Sequence, residues 1–304
     1  EPRKLEMDIT YDDLTEDYLL PLYRKLIDEK DKYNPEKFGI IQSIFMNKGE
    51  GINGNQYAEI KAPIKRKNVI FAPHIYQARK DRVKPTLLRF KKESDLLKAP
   101  VFIGEWGFPT FQSTDSSIAG MRGQLEYMDF YIRTAELFDS LGYGTIKAWF
   151  AGNRTYQDFL SGGKSTWAIF SDDQRVGTVE RKYIIDVIAR PYPKAIAGNL
   201  HSFEYDFAMR TLDVYLTADN SKGASRIFVG ADRHYPDGFS VVCNDDFVLC
   251  CNPLGNGGLE LARSVENSNP ADFIWDSSRQ QLVVLAWPED QGKVHLRIVP
   301  GLHK

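Results

Sequence analysis

The chain has 304 residues, of which 42% are hydrophobic and 26% are charged, and its 39 basic and 41 acidic side chains leave a net charge of −2. This is the composition of a globular protein with enough apolar residues for a sizeable core. The charge balance gives no sign of the basic surface of a nucleic-acid-binding protein. No apolar run approaches the roughly 18 residues of a membrane-spanning helix.

The first part of the chain alternates helical and strand patterns. Apolar residues at helical spacing over 15–33 predict a helix that Asn34-Pro35 would end. The apolar run over 38–46 predicts a strand, and the run over 69–76 predicts a second, buried strand. An amphipathic helix over 83–98 follows, with Pro85 in its first turn.

A third strand is predicted over 101–105, where three apolar residues lead into Gly104-Glu105. A long helical pattern over 117–141 comes next, followed by a strand over 145–150 and a helical segment over 179–189. Strands and helices that alternate with these lengths predict a parallel β/α architecture.

The pattern changes near residue 200. Short alternating runs separated by turn signals such as Pro236-Asp237-Gly238 predict an antiparallel β-sandwich. We therefore predict two domains, a β/α domain over 1–200 and a β-sandwich domain over 201–304. The three cysteines are an odd number and cannot all pair within the chain, and we expect them to be buried as small apolar residues.

The strand over 101–105 ends in a carboxylate, which makes Glu105 the first candidate for chemistry. In β/α barrels the carboxyl ends of the strands carry the catalytic residues. A structural acid at the barrel rim, bridging to an arginine, is the alternative. Trp106 and Gly107 favour a functional role, because an aromatic ring limits the solvation of a carboxylate and glycine lets the backbone approach a ligand. We count Trp106 among the candidate substrate-binding residues.

Further candidates for the substrate site end the neighbouring strands. His74 and Tyr76 are two residues apart in a strand and therefore point to the same side. A tyrosine hydroxyl can hold a carboxylate nucleophile and an imidazole can bind a sugar hydroxyl, whereas a buried histidine taken alone more often donates to a backbone carbonyl. Trp149 ends the next strand, where its ring can stack on a sugar face or fill the core.

Glu1 is the candidate for a second carboxylate. Glycoside hydrolysis needs two carboxylates that flank the scissile bond, and in a retaining enzyme one is the nucleophile and the other the acid/base. If Glu1 and Glu105 serve this mechanism, we expect their carboxyl groups to lie about 5–5.5 Å apart, whereas a separation near ~9 Å would indicate inversion.

Together these motifs resemble the second half of a glycoside hydrolase family 5 barrel. His74-Ile75-Tyr76, Ile103-Gly104-Glu105-Trp106-Gly107 and Trp149 are similar to the ends of its strands six, seven and eight. Glu1-Pro2 is similar to the end of the Asn-Glu-Pro motif after strand four. The segment Arg190-Pro191-Tyr192-Pro193, followed by a small all-β domain, resembles the endoglycoceramidases and related glycosylceramidases. The resemblance implies an α/β fold class, the C-terminal half of a (β/α)8 TIM barrel followed by a small antiparallel β-sandwich domain.

The resemblance also implies a retaining hydrolase that cleaves the β-glycosidic bond between sugar and ceramide in glycosphingolipids. Glu105 would attack the anomeric carbon, and Glu1 would protonate the departing oxygen and then activate water. Tyr76 would orient Glu105, and Trp149 would form the floor of the sugar subsite. No metal ion or organic cofactor is implied. A β-glucanase or β-glucosidase acting on non-lipid substrates, and a non-catalytic carbohydrate- or lipid-binding subunit, are the alternatives.

Strands one to four of such a barrel are absent from this sequence, so we expect the N-terminal half as a partner, either as a separate chain or as a further segment of the same protein. A half barrel would otherwise expose its sheet edges. The other expected partner is the glycolipid or oligosaccharide substrate. Contact with a membrane surface is compatible with such a substrate. We expect no nucleic-acid partner. Members of the family are mostly secreted or membrane-associated, and we expect the same here.

Overall fold

The computed structural model describes residues 14–301 except for short intervening stretches, namely 44, 48–54, 58, 77–79, 108–109, 112–117, 149–154, 158–163, 167, 174–176, 245–246, 254–258, 264–272 and 289. The chain divides into two compact units. The first consists of residues 1–123 and 143–180, and the second of residues 124–142 and 181–304. Residue 200, where composition predicts the second domain to begin, lies inside a strand of the second unit.

The described helices include the four segments predicted to be helical and one short helix that was not predicted. They are α1 (Leu20–Tyr33), which continues a π-helical stretch at Leu14–Leu19, α2 (Lys80–Leu97), α3 (Ile118–Leu141), α4 (Lys182–Ile188) and α5 (Ala231–His234), with a 3-10 turn at Asn220–Lys222. The prediction that Pro85 lies in a first turn is wrong, because α2 begins at Lys80 and Pro85 lies inside it. In the described part of the chain, no helix is both long enough and apolar enough to cross a membrane.

The first unit contains twelve described strands, most of them short. They are β1 (Gly39–Ile41), β2 (Phe45–Asn47), β3 (Asn55–Tyr57), β4 (Val69–Phe71), β5 (His74–Ile75), β6 (Phe102–Trp106), β7 (Thr110–Phe111), β8 (Gly144–Lys147), β9 (Thr155–Gln157), β10 (Lys164–Thr166), β11 (Phe170–Asp173) and β12 (Gly177–Glu180). β1 pairs with β4, and β6 pairs with β5 and with β8, all in parallel. A parallel bridge between Phe71 and Val101 joins β4 to the start of β6. The order across the parallel strands is therefore β1, β4, β6, β8. β5 follows β4 in the chain and lies on the same side of β6 as β4 does.

One face of these parallel strands packs against helix α2. Phe71 on β4 is fully buried and meets Phe90 of α2 edge to face, with ring centroids 6.0 Å apart. Ile41 and Ile103 are buried as well. On α2, Val83, Leu87, Phe90 and Leu97 are buried, which is the spacing of an amphipathic helix.

A buried carboxylate also lies on α2. Glu93 is 1% exposed and accepts a hydrogen bond from the backbone N–H of Ile60 at 3.0 Å. Its second oxygen, Oε2, has no hydrogen-bond partner among the described residues, and Arg89 Nε lies 4.0 Å from Oε1. Burial raises the pKa of Glu93 to about 7, against the smaller opposing effects of the Ile60 N–H and Arg89.

We expect Glu93 to make the stability of the first unit depend on pH. Because its pKa is higher in the folded than in the unfolded chain, its protonated form stabilises folding below about pH 4.5, and this contribution is lost as the pH rises towards 7. The loss amounts to about 3 kcal/mol, at 1.36 kcal/mol per pKa unit. Urea denaturation of wild type and Glu93→Gln at pH 5 and pH 8 measures it: the variant should be the more stable protein at pH 8 and show the flatter pH dependence. Parallel pH profiles for the two proteins would contradict this role.

The second unit contains ten described strands. They are β13 (Tyr192–Ala195), β14 (Gly198–Asp206), β15 (Thr211–Ala218), β16 (Ser225–Phe228), β17 (Phe239–Cys243), β18 (Phe247–Pro253), β19 (Leu259–Arg263), β20 (Phe273–Asp276), β21 (Gln281–Val284) and β22 (Lys293–Pro300). They form a four-stranded sheet in the order β13-β16-β21-β20 and a six-stranded sheet in the order β14-β15-β22-β17-β18-β19. All of the pairings within these two sheets are antiparallel.

Both sheets contribute side chains to one hydrophobic core. Alternate residues of β15 and β22 point into it, as do residues of β16 and β21 from the four-stranded sheet. The cysteines Cys243, Cys250 and Cys251 are buried, as expected. Two of them, Cys243 and Cys251, belong to this core.

Helix α3 and the segment before β13 are joined by a buried ion pair in the second unit. Arg190 donates from Nε to Asp139 Oδ2 at 2.7 Å and from Nη2 to Oδ1. The side chains of Arg190 and Asp139 are only 11% and 6% exposed. Burial raises the pKa of Asp139, and the Arg190 guanidinium opposes this by favouring the ionised carboxylate.

Candidate active site

Glu105, His74 and Tyr76 meet at the carboxyl ends of β5 and β6. His74 stands directly beside Glu105 in the parallel register, and Tyr76 follows β5 by one residue. The Tyr76 hydroxyl donates to Glu105 Oε2 at 2.5 Å, and His74 Nδ1 lies 3.4 Å from the same oxygen. The structure therefore brings together three of the residues that the sequence singled out.

Both of these contacts are made to one oxygen of the carboxylate. Among the described residues, Oε1 of Glu105 receives neither a hydrogen bond nor an ion pair, and no arginine pairs with the carboxylate. The Glu105 side chain is 46% exposed. One oxygen is therefore held by the protein while the other can reach a ligand.

A register irregularity in β6 places Ile103 and Trp106 on the same side of the strand. Ile103 pairs with Thr145 and Trp106 pairs with Lys147, so three steps along β6 match two along β8. An extra residue of this kind bends a strand and re-aims its side chains. Ile103 and Trp106 are consequently both buried, at 0% and 1% exposure, while Glu105 stays accessible.

Gly104 supplies the space in which the His74 ring lies. A Cβ on this glycine would stand 3.0 Å from the carbonyl oxygen of Ala72 and 3.2 Å from two ring atoms of His74. Sequence reasoning treated Gly104 only as part of a motif. The signal that could have found its role is a glycine beside a chemistry-bearing residue in a strand, which marks a close approach by another group.

We expect Gly104→Ala to displace the His74 ring from Glu105. The backbone oxygen of Ala72 cannot easily yield, so the added methyl group must be accommodated by His74. Overpacking of this kind costs about 1–3 kcal/mol. A crystal structure of the variant should show His74 Nδ1 further from Oε2 than in the wild type, and urea denaturation should show the loss of stability; an unmoved ring would contradict this account.

The other predicted site residues are Glu1, Trp149 and Trp106. Glu1 and Trp149 lie outside the described residues. Trp106 is described, and its side chain is buried, at 1% exposure. Among the described residues, no group of three or more histidine, cysteine or acidic side chains is arranged to hold a metal ion.

Comparisons with known proteins agree with this fold. Residues 190–298 match the model of the glycoside hydrolase family 5 C-terminal domain. The fold resembles that of endo-glycoceramidase II from Rhodococcus sp., with a TM-score of 0.59 and 16% identity over 93% of this chain and 54% of that one. It also resembles Cryptococcus neoformans sterylglucosidase 1, with a TM-score of 0.60 and 12% identity over 95% of this chain and 45% of that one.

An endogalactoceramidase is a further structural relative, with a TM-score of 0.51 and 15% identity over 95% of this chain and 53% of that one. No curated protein sequence matches the chain. The chain thus spans about half the length of the solved structures it resembles.

The chain therefore has an α/β fold of the kind that contains a TIM barrel, and its residues 190–298 are similar to the C-terminal domain of glycoside hydrolase family 5. The likeness of its fold to endo-glycoceramidase II and the related structures agrees with the resemblance indicated by the sequence motifs.

Proposed function

We propose that this chain is the C-terminal half of a retaining glycoside hydrolase that cleaves the β-glycosidic bond between sugar and ceramide in glycosphingolipids. The observation that carries the proposal is the Glu105 carboxylate, held through Oε2 by Tyr76 and His74 with Oε1 left to react. A nucleophilic carboxylate needs this combination of a fixed orientation and an accessible oxygen. Under this proposal, the parallel strands are the second half of a TIM barrel and the two antiparallel sheets form a β-sandwich domain.

The proposed reaction has two steps. Glu105 Oε1 attacks the anomeric carbon while the bond to the leaving oxygen breaks, and Glu1 gives its proton to that oxygen. The released ceramide leaves a glycosyl ester on Glu105. Glu1, now a carboxylate, takes a proton from a water molecule that attacks the anomeric carbon, and the ester bond to Glu105 breaks. The anomeric configuration is therefore inverted twice and retained overall.

The remaining residues have supporting roles in this proposal. His74 and Trp149 contact the sugar, with the Trp149 ring as the floor of the subsite. Trp106 lies on the buried side of β6, where it can support the strand that positions Glu105. We also propose that the protein is secreted or membrane-associated, as expected from the family resemblance.

We expect Tyr76→Phe to lower kcat/KM by roughly 10- to 100-fold. The variant removes the hydroxyl that donates to Glu105 Oε2 and leaves the ring in place. A hydrogen bond to a charged group contributes about 1.5–3 kcal/mol, which corresponds to this range. Tyr33→Phe, at an exposed tyrosine on α1, is the control and should keep full activity. Equal kcat/KM in the two variants would argue against orientation by Tyr76.

The choice of a glycolipid substrate is supported by the names of three structural relatives, an endo-glycoceramidase, an endogalactoceramidase and a sterylglucosidase. The test is an assay with a fluorescent glycosylceramide, a β-linked glucan oligosaccharide and a steryl glucoside at matched concentrations. We expect release of free ceramide with the largest kcat/KM. Preferred cleavage of the glucan would replace this proposal with a β-glucanase or β-glucosidase. Binding of a ligand without hydrolysis, in a preparation with a complete barrel, would indicate a non-catalytic binding subunit.

A further inference from the structure

A tyrosine ring on the outer face of the six-stranded sheet is held flat against a histidine. The neighbours of Tyr215 on β15 point into the core, so Tyr215 itself points outward. It pairs directly with His295 on β22, and the two rings stack with centroids 4.3 Å apart and planes 8° from parallel. One oxygen of Asp213 accepts from His295 Nε2 at 2.6 Å and from Arg297 Nε at 2.8 Å. Tyr215 therefore has a fixed orientation although it is 43% exposed.

The free face of this ring borders a cleft within the second unit. His295 covers the ring face on the side of β22, so the other face is turned toward β14, where Ser202 is the register partner of Tyr215. The cleft lies between α3 and the outer face of β14, and Tyr215, Ser202 and Leu137 of α3 are among the residues that line it. Its volume of about 670 Å³ is that of a site for a small ligand.

Polar groups without partners surround the ring. Glu136 of α3 and Glu204 of β14 both line the cleft. Within the part of the chain that the structure describes, neither carboxylate has a hydrogen bond or an ion pair, and the Tyr215 hydroxyl has no hydrogen bond. Partial burial raises the pKa of Glu136, and the nearby charge of Glu204 raises it further, against the opposing effect of Arg133. These acceptors are available to the hydroxyl groups of a ligand.

The arrangement suits a neutral sugar. A pyranose ring has an apolar face of C–H groups that can stack on an aromatic ring, and its hydroxyl groups can donate to carboxylate oxygens. Two neighbouring carboxylates repel an anionic ligand. Arg133 also lines the cleft, but it already donates to Asp129 at 3.0 Å. The cleft is therefore selective against sugar acids.

We propose that the cleft between α3 and β14 is a binding site for a neutral hexopyranoside, which stacks on the free face of Tyr215 and donates hydrogen bonds to Glu136 and Glu204. The site belongs to the second unit, whereas Glu105 belongs to the first. It goes beyond the proposed function, because it holds a glycan that is not the one being cleaved. A single aromatic platform gives weak binding, with a Kd in roughly the millimolar range.

NMR of tyrosine rings in the complete protein tests the site locally. The rings are labelled with carbon-13, and the Tyr215 resonance is assigned by its absence from Tyr215→Phe. Methyl β-cellobioside or methyl β-lactoside should shift this resonance with a Kd of about 1–10 mM. The resonance of the exposed Tyr33, assigned in the same way, is the control and should not move. An unchanged Tyr215 resonance with both sugars up to roughly 50 mM would overturn the proposal.

A comparison of neutral and charged sugars tests the two carboxylates. Methyl β-glucuronide should need an at least roughly 10-fold higher concentration than methyl β-glucoside to shift the Tyr215 resonance equally. Glu136→Gln combined with Glu204→Gln should remove most of this difference, and the variant should fold because both side chains are exposed. Glu126→Gln, at an exposed glutamate elsewhere on α3, is the matched control and should keep it. Equal or tighter binding of the glucuronide to the wild type would overturn the assignment of the carboxylates.

These measurements separate the binding site from the proposed function. None of them uses hydrolysis or depends on the Glu105 carboxylate. A protein that lacks activity but shows the Tyr215 response would contradict the proposed function and leave the binding site standing. An active enzyme in which the Tyr215 resonance does not respond to any of the neutral sugars would contradict the binding site alone.

Discussion

Replacing Glu105 with glutamine is expected to lower kcat by at least roughly 10⁴-fold, as removal of a catalytic nucleophile does in other hydrolases. Glutamine preserves the shape of the side chain and can still accept the hydrogen bond from Tyr76, but its neutral amide cannot attack the anomeric carbon. Substrate binding should persist, because the residues around the sugar are unchanged. The measurement is kcat with a fluorescent glycosylceramide, together with the Kd of the variant for the same substrate.

A control and a chemical test separate the role of nucleophile from that of acid/base. Glu36→Gln, at an exposed glutamate away from the described site, should keep wild-type turnover. In Glu105→Ala, azide can enter the space left by the carboxylate and attack the anomeric carbon as the aglycone leaves. The product should then be a glycosyl azide of the α configuration. Wild-type-like turnover of Glu105→Gln would disprove the assignment, and a β-configured azide would point to loss of the acid/base instead.

Replacing Arg190 with alanine is expected to destabilise the second unit by about 3–5 kcal/mol, because it leaves the buried Asp139 carboxylate without its partner. The pKa of Asp139 is already raised by burial, and without the guanidinium the carboxyl would take up a proton or draw in water. Urea denaturation followed by tryptophan fluorescence measures the change.

The second unit offers a matched control for this substitution. Arg233 and Asp186 form an ion pair at 2.6 Å whose side chains are 29% and 42% exposed. Arg233→Ala should cost no more than about 1 kcal/mol, because solvent screens an exposed pair. The double replacement of Arg190 by methionine and Asp139 by leucine should cost less than Arg190→Ala, since no buried charge remains unpaired. Equal losses for Arg190→Ala and Arg233→Ala would contradict the role of burial.

Local sequence pattern predicted the helices and strands of this protein well where periodicity was strong. The helices over 15–33 and 117–141 correspond closely to α1 with its π-helical start and to α3. The strand predicted over 69–76 is divided into β4 and β5 at Ala72-Pro73. Proline has no N–H to donate, but the Pro73 carbonyl still accepts from Gly104 N–H at 3.1 Å, which keeps this stretch beside β6.

The sequence alone determined which residues could act at the site, because Glu105, His74 and Tyr76 all stand at strand ends that a parallel sheet brings to one edge. Only the tertiary structure decided that Tyr76 and His74 share one oxygen of Glu105, and that the irregularity in β6 sends Trp106 to the buried side. It also decided that Glu93 and the Asp139–Arg190 pair are buried, and that Ile40 and Ile146 are exposed. Periodicity reports only which side of its own element a residue occupies, whereas these properties depend on contacts between segments far apart in the chain.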